Sequence, residues 1–95
     1  MDRGELVWQL ETAPAFDRAA RKMDRQDVQK IRRYLEEVCQ LENPRLRGKG
    51  LTGSLSGYWR YRVGDYRILV EIRDRELVVV AIGVGHRSTV YRQHR

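Results

Sequence analysis

Leu55-Ser56-Gly57-Tyr58-Trp59-Arg60-Tyr61-Arg62-Val63-Gly64-Asp65-Tyr66-Arg67-Ile68-Leu69-Val70-Glu71-Ile72-Arg73 is the stretch in which the period of the chain becomes two. Leu55, Gly57, Trp59, Tyr61 and Val63 alternate with Ser56, Tyr58, Arg60 and Arg62, the repeat of a strand with one covered face. Gly64-Asp65 then offers a two-residue connection with Gly first, the signal of a type II′ hairpin. Tyr66, Ile68, Val70 and Ile72 resume the alternation against Arg67, Leu69, Glu71 and Arg73. A second turn over Arg73 to Glu76 leads into the apolar run Leu77 to Val84, which reads as a central strand covered on both faces. The three strands are expected to form an antiparallel meander.

Upstream the period is helical. Glu5 to Leu10 fits a short strand with Leu6, Trp8 and Leu10 on one face. Thr12 offers an N-cap oxygen and Pro14 suits the first turn of a helix running to Lys22 or Met23, with Phe16, Ala19, Ala20 and Met23 as its apolar stripe. Asp24 can cap a second helix in which Val28, Ile31, Leu35, Val38 and Leu41 recur at three- and four-residue steps; Asn43-Pro44 ends it. With almost no loop between them, the helices are expected to form an antiparallel hairpin. The order β-α-α-β-β-β predicts an α+β fold, an antiparallel sheet with the helical hairpin packed on one face. Residues 1–95 are expected to be a single domain, since that length supports one modest core.

Composition narrows the function classes. No apolar run approaches a membrane span, and no basic-then-apolar leader opens the chain, so a cytoplasmic protein without a membrane partner is expected. The lone Cys39 excludes an internal disulfide framework, and with two His it argues against a structural zinc site. The sequence lacks GxSxG, CxxC, HExxH and an acidic pair placed for two-metal chemistry, so neither metal nor cofactor is expected. The formal charge is +6, and 16 of the 19 basic residues are Arg. The guanidinium fork suits bidentate phosphate contacts. Such a balance fits a binder of nucleic acid or of an acidic protein, or else a surface rich in ion pairs.

Alternation places the basic residues. If Trp59, Tyr61, Tyr66 and Ile68 face the helices, then Arg60, Arg62 and Arg67 share the other face of the sheet, close enough to converge. That face either binds an anion or is solvated, its Arg stems covering apolar surface. Arg87 and Tyr91 follow the last strand and can close its rim. Arg45, Arg47 and Lys49 lie in a Gly-containing loop without P-loop spacing, which either contacts a nucleic-acid backbone or is a solvated connection. His86 can serve as general acid or base, or be simply a polar turn residue.

In Gly57-Tyr58-Trp59-Arg60-Tyr61-Arg62-Val63-Gly64-Asp65-Tyr66-Arg67-Ile68-Leu69, in Gly83-Val84-Gly85-His86-Arg87-Ser88-Thr89-Val90-Tyr91, and in the loop Asn43 to Leu51, the chain resembles the RelE/ParE superfamily of bacterial toxin–antitoxin toxins. Within it the likeness is to the RelE-type ribosome-dependent mRNA endonucleases. The resemblance implies a RelE-like fold, metal-independent attack of the RNA 2′-hydroxyl on the adjacent phosphate in the ribosomal A site, and inhibition of translation. It implies catalytic roles for Arg60, Arg67, Arg87 and Tyr91; with the basic loop and sheet face read above, RNA contacts are expected from Arg45, Arg47, Lys49, Tyr58, Arg62 and His86. It also implies an acidic, RelB-like cognate antitoxin in a toxin–antitoxin hetero-oligomer. Arg60 and Tyr58 stand where RelE proteins often carry Lys, a departure that shifts proton transfer onto Tyr91, His86 or ribosomal groups. Two other readings fit the same fold: a ParE-type poison of DNA gyrase, and a binding module whose active site has decayed.

Overall fold

The period-two stretch folds around its turn. In a computed structural model, which describes residues 7–86, Gly64 adopts φ +59° while Asp65 stays at negative φ, as a type II′ connection requires. The elements run β1 (Gln9–Thr12), α1 (Pro14–Arg21), α2 (Arg25–Gln40), β2 (Lys49–Gly50), β3 (Trp59–Val63), β4 (Tyr66–Arg73) and β5 (Val78–His86). The strands make one sheet in the order β1-β5-β4-β3-β2. Strands β3, β4 and β5 are the expected meander. Strand β1 joins at the edge and runs parallel to β5, pairing Gln9 with Val78 through Thr12 with Ala81, so the sheet is mixed rather than wholly antiparallel.

Alternation decides what is buried. Tyr61, Ile68, Val70, Val79 and Ala81 are fully buried on one face of the sheet. They pack with Phe16 of α1 and with Ile31, Leu35, Val38 and Cys39 of α2. Helix α1 lies against β5, and α2 against β1 and β3. The α2 stripe is the expected one at Ile31, Leu35 and Val38, but Cys39 joins it while Val28 and Leu41 stay half-buried outside the core cluster; Asp24 caps the helix, its carboxylate accepting from the Gln26 N–H at 2.8 Å. Val78 and Val80 lie on the opposite face and are buried too, outside that core cluster. Among the described residues no helix is long and apolar enough to cross a membrane.

Several boundaries differ from the sequence reading. The first described strand is Gln9–Thr12 rather than Glu5–Leu10; Glu5 and Leu6 lie outside the described residues. Thr12 is consumed by pairing with Ala81, so α1 starts behind Ala13 with no side-chain cap. Strand β3 begins at Trp59 rather than Leu55. Gly53–Leu55 forms a 3₁₀ turn, and the Tyr58 N–H folds back onto the Leu55 carbonyl at 3.1 Å. The loop before it holds the two-residue strand β2, which pairs Lys49 with Arg60 and Gly50 with Trp59. Leu77 takes φ +55° in the turn, and β5 therefore starts at Val78.

Candidate nucleic-acid interface

Register brings three arginines to one surface. Arg62 on β3 stands directly opposite Arg67 on β4, and Arg60 stands opposite Leu69. Their in-between neighbours Tyr61 and Ile68 are fully buried against the helices, so Arg60, Arg62 and Arg67 project from the other face. Cross-strand partners have Cβ atoms roughly 4.5–5.5 Å apart, and like charges directly opposite are unfavourable. Further along the same face of β4, the Glu71 carboxylate is engaged by Arg73 at 3.3 Å. Lys49 pairs with Arg60 in register and thereby extends the cationic row across β3. Lys49, Arg60 and Arg62 line a shallow concavity that also includes Gly48 and Tyr34. Tyr34 was not singled out in the sequence, since only the fold brings α2 beside Lys49 and Arg60. Tyr58 sits half-buried immediately before β3.

The loop arginines are held elsewhere. Arg45 donates through both terminal nitrogens to the two oxygens of Asp74, at 2.8 and 2.9 Å, and its guanidinium lies 5.9 Å from the Trp59 ring centroid. That hydrogen bonding holds the Asp74 carboxyl below its ordinary range and raises Arg45 further. Arg47 stacks on Tyr34 at 5.4 Å and approaches Glu37 at 3.5 Å, while its carbonyl accepts the Trp59 indole N–H at 2.7 Å. The buried Tyr61 hydroxyl donates to the Pro44 carbonyl at 2.7 Å; its burial pushes the phenol pKa upward. Gly48 completes this packing. At φ +83° a Cβ there would come within 2.5 Å of the Arg60 carbonyl and 2.6 Å of the Trp59 indole nitrogen. The loop is a strap pinned across the end of β3, its residues 45–50 still exposed to solvent.

His86 stands apart from the arginines. Register pairs it with Tyr66, placing both on the helix side of the sheet, where their rings meet edge to face at 5.9 Å. The Tyr66 hydroxyl donates to Asp27 of α2 at 3.2 Å, and these three residues share a cleft with Lys30 and Asp65. Arg87 and Tyr91 lie outside the described residues. Cys39 is buried, and that burial raises its thiol pKa to about 11, so it is no nucleophile at neutral pH.

A five-stranded sheet carrying two helices on one face and an arginine row on the other defines the class: a small α+β protein with a cationic open surface. Residues 10–91 match the family model for the ParE toxin of type II toxin–antitoxin systems, parDE, and the chain belongs to that family, within the RelE/ParE toxin superfamily. Over 46 residues it is 41% identical to toxin RelG of Mycobacterium tuberculosis; the match covers 48% of this chain and about half, 53%, of that toxin. The toxin–antitoxin complex RelBE2 of Mycobacterium tuberculosis contains a chain that superposes with a TM-score of 0.78 at 24% identity, covering 87% of this chain and 94% of that one. The isolated E. coli RelE toxin superposes with a TM-score of 0.69 at 26% identity, covering 93% and 95%. The fold is RelE-like, and the family is one of type II toxins.

Proposed function

We propose that this toxin is a ribosome-dependent mRNA endonuclease. The observation that carries this reading is the register of Arg60, Arg62 and Arg67 on one open sheet face, three guanidinium forks of the kind that bind phosphate oxygens bidentately. In the proposed reaction the RNA 2′-oxygen bonds to the adjacent phosphorus and loses its proton. The bond from phosphorus to the 5′-oxygen breaks, and that oxygen takes up a proton. No metal enters the step. Negative charge gathers on the nonbridging oxygens in the transition state, where preorganised cations act most strongly. Arg67 and Arg60 stabilise that charge, Arg87 stabilises phosphate and leaving group, and Tyr91 stacks on or activates the nucleotide. Arg62, Lys49 and Tyr58 contact the message, with Arg45 and Arg47 flanking it, while His86, on the helix side of the sheet, takes no part. Arg45 reaches RNA only by leaving Asp74.

A cognate antitoxin silences this activity. RelE toxins have been solved in complex with RelB antitoxins. For this basic chain the proposed partner is an acidic, RelB-like segment that folds as it wraps the toxin in the cytoplasm. The family model's own name favours a second reading, a ParE-type poison of DNA gyrase.

Expression of the toxin without antitoxin tests the proposal. New mRNA 5′ ends at the A site of stalled ribosomes, absent from an Arg67→Ala strain, are expected. Gyrase-dependent DNA breaks with intact mRNA would select the second reading.

A further inference from the structure

Glycine at position 83 has no explanation within the described fold. It sits inside β5, in a run of Val, Ala and Ile, where glycine weakens a strand. A β-bulge interrupts the β4–β5 register beside it, between Leu69 and Val70, yet Gly83 is not among the glycines at positive φ, so the bulge does not demand glycine there. Nor does close packing: a Cβ built on Gly83 meets nothing within 4 Å. Contrast Gly48, where a Cβ would collide with backbone.

Register shows which surface gains the space. Gly83 pairs with Leu69 and Gly85 with Arg67, so both glycines lie on the arginine face. Strand β1 ends its pairing at Ala81, and beyond that point β5 has no strand from β1 at its other side. The result is a lane floored by backbone at Gly83, with Gly85 next on the same face of β5, walled on one side by Leu69 and Arg67, with Arg62 one strand further. Flat peptide planes and an aliphatic wall beside a guanidinium suit an unstacked base whose own phosphate needs a cation.

We infer that the Gly83–Gly85 lane takes one unstacked nucleobase of the RNA whose phosphate is held by Arg62 and Arg67. The inference rests on the reading of this face as an RNA site and deepens it by naming a base subsite.

The test is a cycle between protein and RNA. A short labelled single-stranded RNA is titrated at low salt, alongside copies carrying one abasic residue at each position in turn. At one position the parent toxin is expected to bind the abasic RNA about tenfold more weakly, the loss of one stacked base. Gly83→Val fills the lane; it should bind the intact RNA as weakly as the parent binds that abasic copy, and lose nothing further on it. Gly83→Ala should fall between. A thermal midpoint at or above the parent's establishes that each variant folds, as expected for a better strand former in open space. Equal binding of intact RNA by parent and Gly83→Val overturns the inference, as does the same loss on intact and abasic RNA. So does a defect confined to antitoxin binding, which would give the lane to a peptide. A parent that cuts no mRNA on ribosomes but keeps the abasic cycle loses the cleavage reading and retains the base subsite. A parent that cuts, with Gly83→Val cutting and binding equally well, retains the reading and loses the subsite. A parent that binds no RNA at low salt, yet cuts mRNA on ribosomes, loses the subsite and retains the reading.

Discussion

Arg67 and Arg45 carry the same side chain in different surroundings. Arg67 stands across from Arg62 on the open face, where one phosphate could accept from both. Arg67→Ala is therefore expected to lower single-turnover mRNA cleavage about a hundredfold or more, with the thermal midpoint unmoved; an unchanged rate would remove Arg67 from the mechanism. Arg45 grips Asp74 with a two-pronged fork, although the Asp74 side chain is 61% exposed. An exposed pair of this kind contributes no more than about 1 kcal/mol. Because folding lowers the Asp74 pKa, the unfolded chain takes up the proton first as pH falls. The stabilisation is full above the ordinary carboxylate value of about 3.9 and is lost as pH drops through the lower folded value. Urea unfolding should show parent and Asp74→Asn differing at neutral pH and converging in strong acid. A gap that persists at about pH 2 would mean that the carboxylate charge is not what the clamp uses.

At the scale of elements, the sequence was most informative where one period ran uninterrupted. The α2 stripe, the Asp24 cap and the Gly64-Asp65 hairpin were all legible because each depends on neighbours within a few residues. Replacing Asp24 by Ala should cost about 0.5–2 kcal/mol in chemical denaturation, since Gln26 N–H loses its acceptor; a smaller loss would mean that water caps the helix equally well. Strand β2 was illegible. Its two residues carry no periodicity, and its place depends on Tyr61 reaching Pro44, on Trp59 reaching the Arg47 carbonyl and on the space left by Gly48, contacts spanning 12 to 17 residues. The parallel pairing of β1 with β5 was hidden for the same reason. The arginine row could be foreseen because parity alone assigns a face. The position of His86 could have been foreseen too, but only after the β4–β5 register was known, and a bulge shifts that register by one residue.

For the whole molecule, charge and fold together set how binding responds to salt. The chain carries +6, but the pairs Arg45–Asp74, Arg47–Glu37 and Arg73–Glu71 spend part of the basic charge internally. The arginines proposed to meet RNA on the sheet are Arg60, Arg62 and Arg67. If these three neutralise one phosphate each, the logarithm of the affinity for single-stranded RNA should fall with the logarithm of salt at a slope of about −2. Raising salt from about 50 to about 200 mM would then weaken binding roughly twentyfold. Arg67→Ala should flatten the slope by about 0.7, one phosphate's share for a single strand. Arg45→Ala should leave the slope unchanged, because its guanidinium is already committed to Asp74. Anisotropy titrations across this salt range separate the outcomes. A slope near zero would replace phosphate gripping with stacking and hydrogen bonding. A slope that flattens for Arg45→Ala as much as for Arg67→Ala would mean that the clamp opens when RNA arrives, and that the strap as well as the sheet face belongs to the binding surface.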